Sequence, residues 1–256
     1  MVLTHKEYWM PEDDCYYPMY VGAMARELEK FSRPGRRYYT DGTGDNIAEK
    51  NPNYCELTGI YWAWKNLKAD YIGLVHYRRH FTHRDMRLPE DRKGQVLTKS
   101  DWQAILQEAD VVVPKKRRYY IETNYSHYIH AHHREGLDMA GEIIKKKYPR
   151  YALAYETVMG RTWAYMFNMF VMRKDCFNAY CEWLFDILFE VGKKLDFSSY
   201  NPYEARVFGF ISEILLNVWL ETNNLKYKEQ NVSFMERQNW VAKGGKFVLR
   251  KIGLYR

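Results

Sequence analysis

Apolar positions along this chain of 256 residues fall into short continuous runs separated by stretches of helical spacing. Residues 71–75 (Tyr-Ile-Gly-Leu-Val) and 111–113 (Val-Val-Val) are compact runs of the kind that buried strands carry. Residues 2–5 predict a very short first strand, 36–41 a second, and 164–172 a later one. Between them, Leu57, Ile60, Tyr61 and Trp64 recur at helical spacing and predict a helix over 54–67, capped by Asn53 with Glu56 three residues on. Ser100 and Asp101 signal another helix start, and 137–148 reads as a helix stopped by Pro149. Phe177, Tyr180, Cys181, Leu184, Phe185 and Leu188 form one stripe on a helix opened by Asp175. The stretch 203–221 is apolar almost all round, so it predicts a buried helix. Residues 115–131 read as an irregular loop over a site. This alternation predicts an α/β fold with a mostly parallel central sheet flanked by helices. A single domain is expected to span 1–221, and 222–256 to form a basic C-terminal extension that packs on it or faces a membrane.

Composition narrows the partners. A formal charge of +7 favours anionic ones. The basic clusters, such as Lys115-Lys116-Arg117-Arg118, are short and scattered among acids, which argues against a continuous nucleic-acid groove. The 23 tyrosines, 12 phenylalanines and 8 tryptophans suit flat ligands such as nucleobases and sugar rings, and also simply pack well. Cys15, Cys55, Cys176 and Cys181 make no zinc spacing. No apolar run reaches bilayer length, and Met1 leads quickly into His5 and Lys6 without a signal-peptide pattern. A cytoplasmic location follows as the expectation, with peripheral contact at the inner membrane face.

The candidate chemistry sits at strand ends, where open α/β sheets bind ligands. His5 and Lys6 follow the first strand, Asp41, Asp45 and Asn46 follow the second, and the run from Tyr71 discharges into His76-Tyr77-Arg78-Arg79. If the chain stays extended there, His76 and Arg78 share a side. Such a crevice suits a diphosphate, with carboxylates and amides for base and ribose and cations for the phosphates. His127, His130, His132 and His133 form a second cluster, either a metal site or imidazoles offered to a phosphate or sugar. Glu213 lies in the apolar 203–221 stretch on a seam with Arg206 and Asn217; it pairs internally with Arg206 or serves as a general base. Asn168, in an apolar strand, either satisfies backbone groups or meets a sugar hydroxyl. Phosphate-loop, dinucleotide-fingerprint and nucleophile-elbow patterns are missing from the sequence.

Thr4-His5-Lys6, Gly44-Asp45-Asn46-Ile47, the run from Tyr54 to Asn66, Tyr71 to Arg79 and Phe167 to Met172 stand in the order typical of one group. The chain resembles the once-uncharacterised family of glycosyltransferases from bacterial capsule, exopolysaccharide and O-antigen gene clusters, some assigned as galactofuranosyltransferases. The resemblance implies a GT-A-like fold, a UDP-sugar donor and a lipid-linked oligosaccharide acceptor at the inner leaflet. Where many GT-A enzymes carry an Asp-x-Asp metal motif, this chain has His76-Tyr77-Arg78. No cofactor is therefore expected to be required, although Mn²⁺ or Mg²⁺ would be tolerated. His76, Arg78 and Arg79 take over the diphosphate in this reading. Glu213 acts as base, and His5, Lys6, Asp41, Asp45, Asn46, His127, His130 and Asn168 hold the nucleotide-sugar. The rival readings are a basic nucleic-acid-binding module and a metal-dependent hydrolase built on the histidine cluster.

Overall fold

The computed structural model describes residues 1–22, 25, 37–84 and 92–236. Strands β1 (Val2–Thr4), β2 (Pro18–Tyr20), β3 (Tyr39–Thr40) and β4 (Tyr71–His76) form a parallel arm in the order β3-β2-β1-β4. Beyond β4 lie β5 (Arg79–Thr82), β6 (Val111–Pro114), β9 (Phe170–Arg173) and β10 (Tyr227–Phe234). They continue as β4-β5-β10-β6-β9, and β9 returns to pair with β4. Five strands thus close into a ring. A short hairpin of β7 (Arg117–Arg118) and β8 (Trp163–Ala164) stands apart.

The α/β class is as expected, but the sheet is mixed. Within the ring only β10 and β6 run parallel; the other pairings are antiparallel. The expected mostly parallel sheet therefore describes the arm alone. The difference arises at 77–78, where the chain reverses tightly instead of staying extended, so that His76 faces Arg79 across β4 and β5. The segment after 221 supplies β10, held between β5 and β6. The rest of the expected extension, from 237, lies outside the described residues.

Helix boundaries shift in instructive ways. The helix expected over 54–67 is broken: Asn51–Tyr54 and Leu57–Asn66 are separate, with Cys55 in the left-handed region at φ 51°. Asn53 does not cap it, because its amide donates to the Ala205 carbonyl at 2.9 Å. The capping box near Ser100 is made instead by Thr98 and Asp101, opening the helix Lys99–Ile105. The 115–131 loop contains β7 and the helix Asn124–Ala131. The strand expected over 164–172 is interrupted by Phe167 and Asn168, both left-handed at φ 79° and 50°.

The core fills both faces of the sheet. On one, the helices Lys174–Lys194 and Val207–Asn223 pack on each other and bury Phe177, Tyr180, Leu184, Phe208, Leu215 and Trp219. On the other, Val2, Val75, Phe81, Leu97 and Trp102 form a smaller cluster. Among the described residues no helix is long and apolar enough to cross a membrane.

Candidate functional site

The carboxyl ends of β1 and β4 open into a cavity of about 670 Å³. His5 enters from β1, and His76, Tyr77, Arg78 and Arg79 enter from the β4–β5 reversal. The opposite wall comes from the start of the buried helix Val207–Asn223 and the 3-10 turn before it, which bring Arg206, Phe210 and Glu213. Cys55 and Glu56 arrive from the helix break, Arg117 from β7, and Phe167 from the turn before β9. Four arginines and two carboxylates therefore share one space.

Electrostatics divides their roles. The Glu213 carboxyl is raised to about 7, first by removal from water and then by the negative charge of Glu56. Arg79 pulls it the other way. The expected alternative, an internal Arg206–Glu213 pair, is not formed: the Arg206 Nε donates to Cys55 Sγ at 3.2 Å. Asn217, the third member of that seam, exchanges hydrogen bonds with both backbone groups of Tyr165 at 2.7 and 2.9 Å. Glu56 is oriented by Asn168, whose amide donates to its Oε1 at 2.8 Å and to the Gly209 carbonyl at 3.1 Å.

His76 differs from its expected cationic role. Its Nε2 donates to the Phe167 carbonyl at 2.5 Å, and burial lowers its pKa below the ordinary histidine value, which favours the neutral ring. Burial also lowers the pKa of His5, with Arg78, Lys6 and Arg206 adding to the effect. The permanent charge of the cavity is carried by arginine. Arg79 packs against the rings of Phe167 and Phe234, its guanidinium 4.4 and 4.9 Å from their centroids. Arg78 is more exposed and reaches Glu236 at 3.5 Å.

Other expected residues fall elsewhere. Asp41 is fully buried and lines a neighbouring cavity of about 730 Å³ with Tyr38, Tyr39, Thr43 and Trp62. One of its oxygens accepts from Thr58 at 2.6 Å and from the Gly22 amide at 3.3 Å. Asp45 and Asn46 line neither cavity; they build the turn, with Asn66 clamping the Asp45 backbone and Asn46 receiving the Ala48 amide. Lys6 lies over the Tyr77 ring and 3.9 Å from Glu236, outside the cavity lining. Asn168 acts through Glu56 rather than at the cavity wall.

The histidine cluster is a hydrogen-bonded scaffold. His127 and His130 both bond through Nδ1 to the two oxygens of buried Glu122, each at 2.8 Å. His132 stacks on Phe210 and His133 on Tyr200, pointing the set in several directions. Among the described residues no group of three or more His, Cys, Asp or Glu side chains is placed to hold a metal ion. Neither His127 nor His130 lines either cavity.

Sequence reasoning missed Glu56, Arg117 and Arg206 as members of the site. Glu56 carried a capping signal that hid it, and Arg117 was one of four consecutive cations. Only the fold brings them to one place.

A family model described as a domain of unknown function, DUF4422, matches residues 1–224. The chain belongs to the DUF4422 family. Among solved structures it is similar to a WbbM bifunctional glycosyltransferase in its apo form, at 33% identity and a TM-score of 0.78. The alignment covers 92% of this chain and 45% of that one, so the family domain here corresponds to about half of the bifunctional protein. No curated protein matches.

Proposed function

We propose that this DUF4422 domain is a glycosyltransferase that moves a sugar from a UDP-sugar, UDP-galactofuranose or UDP-galactose, to a hydroxyl of a lipid-linked oligosaccharide in capsule, exopolysaccharide or O-antigen synthesis. One observation carries the reading: a carboxyl poised near neutrality, Glu213, shares its cavity with Arg78, Arg79, Arg117 and Arg206. The likeness to a glycosyltransferase supports the same class.

In this reading Glu213 takes the proton of the acceptor hydroxyl as the acceptor oxygen bonds to the anomeric carbon. The bond from that carbon to the diphosphate breaks, and its electron pair stays on the leaving oxygen. The arginines stabilise the charge that grows there. Direct displacement of this kind inverts the anomeric centre. His76 enters as a neutral group fixing the Phe167 turn, and His5 borders the diphosphate. The nucleoside occupies the adjoining cavity, where Tyr38, Tyr39 and Trp62 offer aromatic surface and Asp41 lies beside the Gly22 backbone. Both cavities lie by the carboxyl ends of the parallel arm, where open α/β sheets bind ligands, which supports a donor site there.

Arginine supplies the positive charge in this proposal, so a divalent cation is not required. Release of UDP from a panel of UDP-sugars, with a lipid-linked acceptor, tests the reading in EDTA and in Mn²⁺. Transfer that is lost with Glu213→Gln supports it; full transfer by that variant removes Glu213 from the role of base. Strict dependence on Mn²⁺ removes the arginine clamp.

A further inference from the structure

The tight turn at Tyr119–Glu122 is built to push two apolar side chains into solvent. Tyr119 is buried and its amide donates to the Thr162 carbonyl at 2.7 Å. Glu122 is buried and tied to two histidines. Between these anchors Tyr120 takes a left-handed backbone, φ 64°, and the Ile121 amide closes back on the Tyr119 carbonyl at 2.8 Å. A non-glycine residue adopts that conformation at a cost. The outcome is that Tyr120 is 81% and Ile121 68% exposed, although both could bury in an ordinary core.

The cations of the preceding hairpin lie beside this tip. Lys115, Arg117 and Arg118 are exposed, and among the described residues Lys116 alone of the four is ion-paired, with Glu229 at 3.0 Å. The nearest acid in sequence, Glu122, is held by its histidines. An aromatic and an aliphatic side chain flanked by exposed cations match the interface of an anionic bilayer, where aromatic rings sit at headgroup level and basic residues meet phosphate.

We propose that residues 115–121 form a docking surface for an anionic lipid bilayer. Arg117 belongs both to this surface and to the lining of the 670 Å³ cavity, so docking sets the cavity mouth at the membrane. That location matters for a lipid-linked acceptor and rests on the proposed transferase reading; the docking itself does not.

Co-sedimentation with vesicles tests it without substrate, so it can fail while the transferase reading stands, and the reverse. The whole chain is compared on phosphatidylcholine vesicles and on vesicles containing phosphatidylglycerol. Binding to the anionic vesicles alone, weakening with salt, is expected. Tyr120→Asn with Ile121→Ser, in which asparagine tolerates the left-handed turn, should lower that binding at least tenfold with the circular dichroism spectrum unchanged. Arg118→Ala should cost about fivefold, the contribution of one basic residue near an anionic surface. Absence of binding to anionic vesicles, equal binding to neutral ones, or full binding by the Tyr120/Ile121 variant would each overturn the proposal.

Discussion

The amide of Asn168 donates to the carboxylate of Glu56 at 2.8 Å across 112 positions of sequence. Asn168 sits left-handed next to an equally left-handed Phe167, whose carbonyl receives His76. One strained turn thus orients a carboxylate and an imidazole of the same cavity, which accounts for paying backbone strain at two consecutive residues.

Asn168→Ala removes both of those amide bonds from a buried position. It should destabilise the protein by about 1–3 kcal/mol, the cost of leaving buried partners unsatisfied. Urea unfolding measures this. Asn168→Asp should be worse, because it sets a second carboxylate against Glu56.

Glu213 gives a stability effect of opposite sign to that of a salt-bridged carboxylate. Its folded pKa of about 7 lies above the ordinary glutamate value. The shift favours the protonated form, so its contribution is fully present below the unfolded pKa and is lost as pH rises through 7. Glu213→Gln should therefore be more stable than the natural chain at pH 8, by on the order of 3 kcal/mol, and nearly equal at pH 4. Catalysis runs the other way. A base must be ionised, so kcat/KM should rise with pH through about 7, and the variant should lose two or more orders of magnitude together with that limb. Paired unfolding and rate profiles against pH decide both.

Gly22 lines the 730 Å³ cavity, and its neighbour Val21 lines the 670 Å³ one. The φ of Gly22 is +66°, and a Cβ there would lie 2.3 Å from Asn51 Oδ1. Asn51 in turn donates to Thr58, the partner of Asp41. Gly22→Ala should cost about 1–3 kcal/mol through strain and clash and should weaken nucleotide binding. A thermal melt with and without nucleotide separates the two effects.

Glu122→Gln tests the histidine scaffold. It removes the charge that receives both His127 and His130, and should lower stability by about 1–2 kcal/mol. The loss should be the same in EDTA and in zinc. Zinc-dependent rescue in the natural chain alone would revive a metal site.

How much of this was written in the sequence depends on the range of the interaction. The apolar run from Tyr71 and the all-round apolar helix from Val207 are local signals, and both elements stand close to where their patterns put them. Ring closure was hidden, because β10 reads Tyr-Lys-Glu-Gln-Asn-Val-Ser-Phe and carries little apolar pattern while pairing on both sides. The reversal at Tyr77-Arg78 uses neither glycine nor proline, so turn chemistry did not announce it. His5, His76, Arg78 and Arg79 were legible as polar residues at strand ends and Glu213 as a carboxylate in an apolar helix, and the fold gathers them in one cavity. Glu56 and Arg206 were not, since a helix break at Cys55 and a contact 151 residues away bring them in.

An arginine-lined cavity of this kind should bind a nucleoside diphosphate. Calorimetric titration of UDP into the natural chain and into Arg79→Ala, in EDTA, tests it most directly. UDP should bind in EDTA, and Arg79→Ala should weaken that binding by about 10- to 100-fold, the loss of one charge-assisted contact. Absence of UDP binding to the natural chain, or equal affinity in the variant, would contradict it.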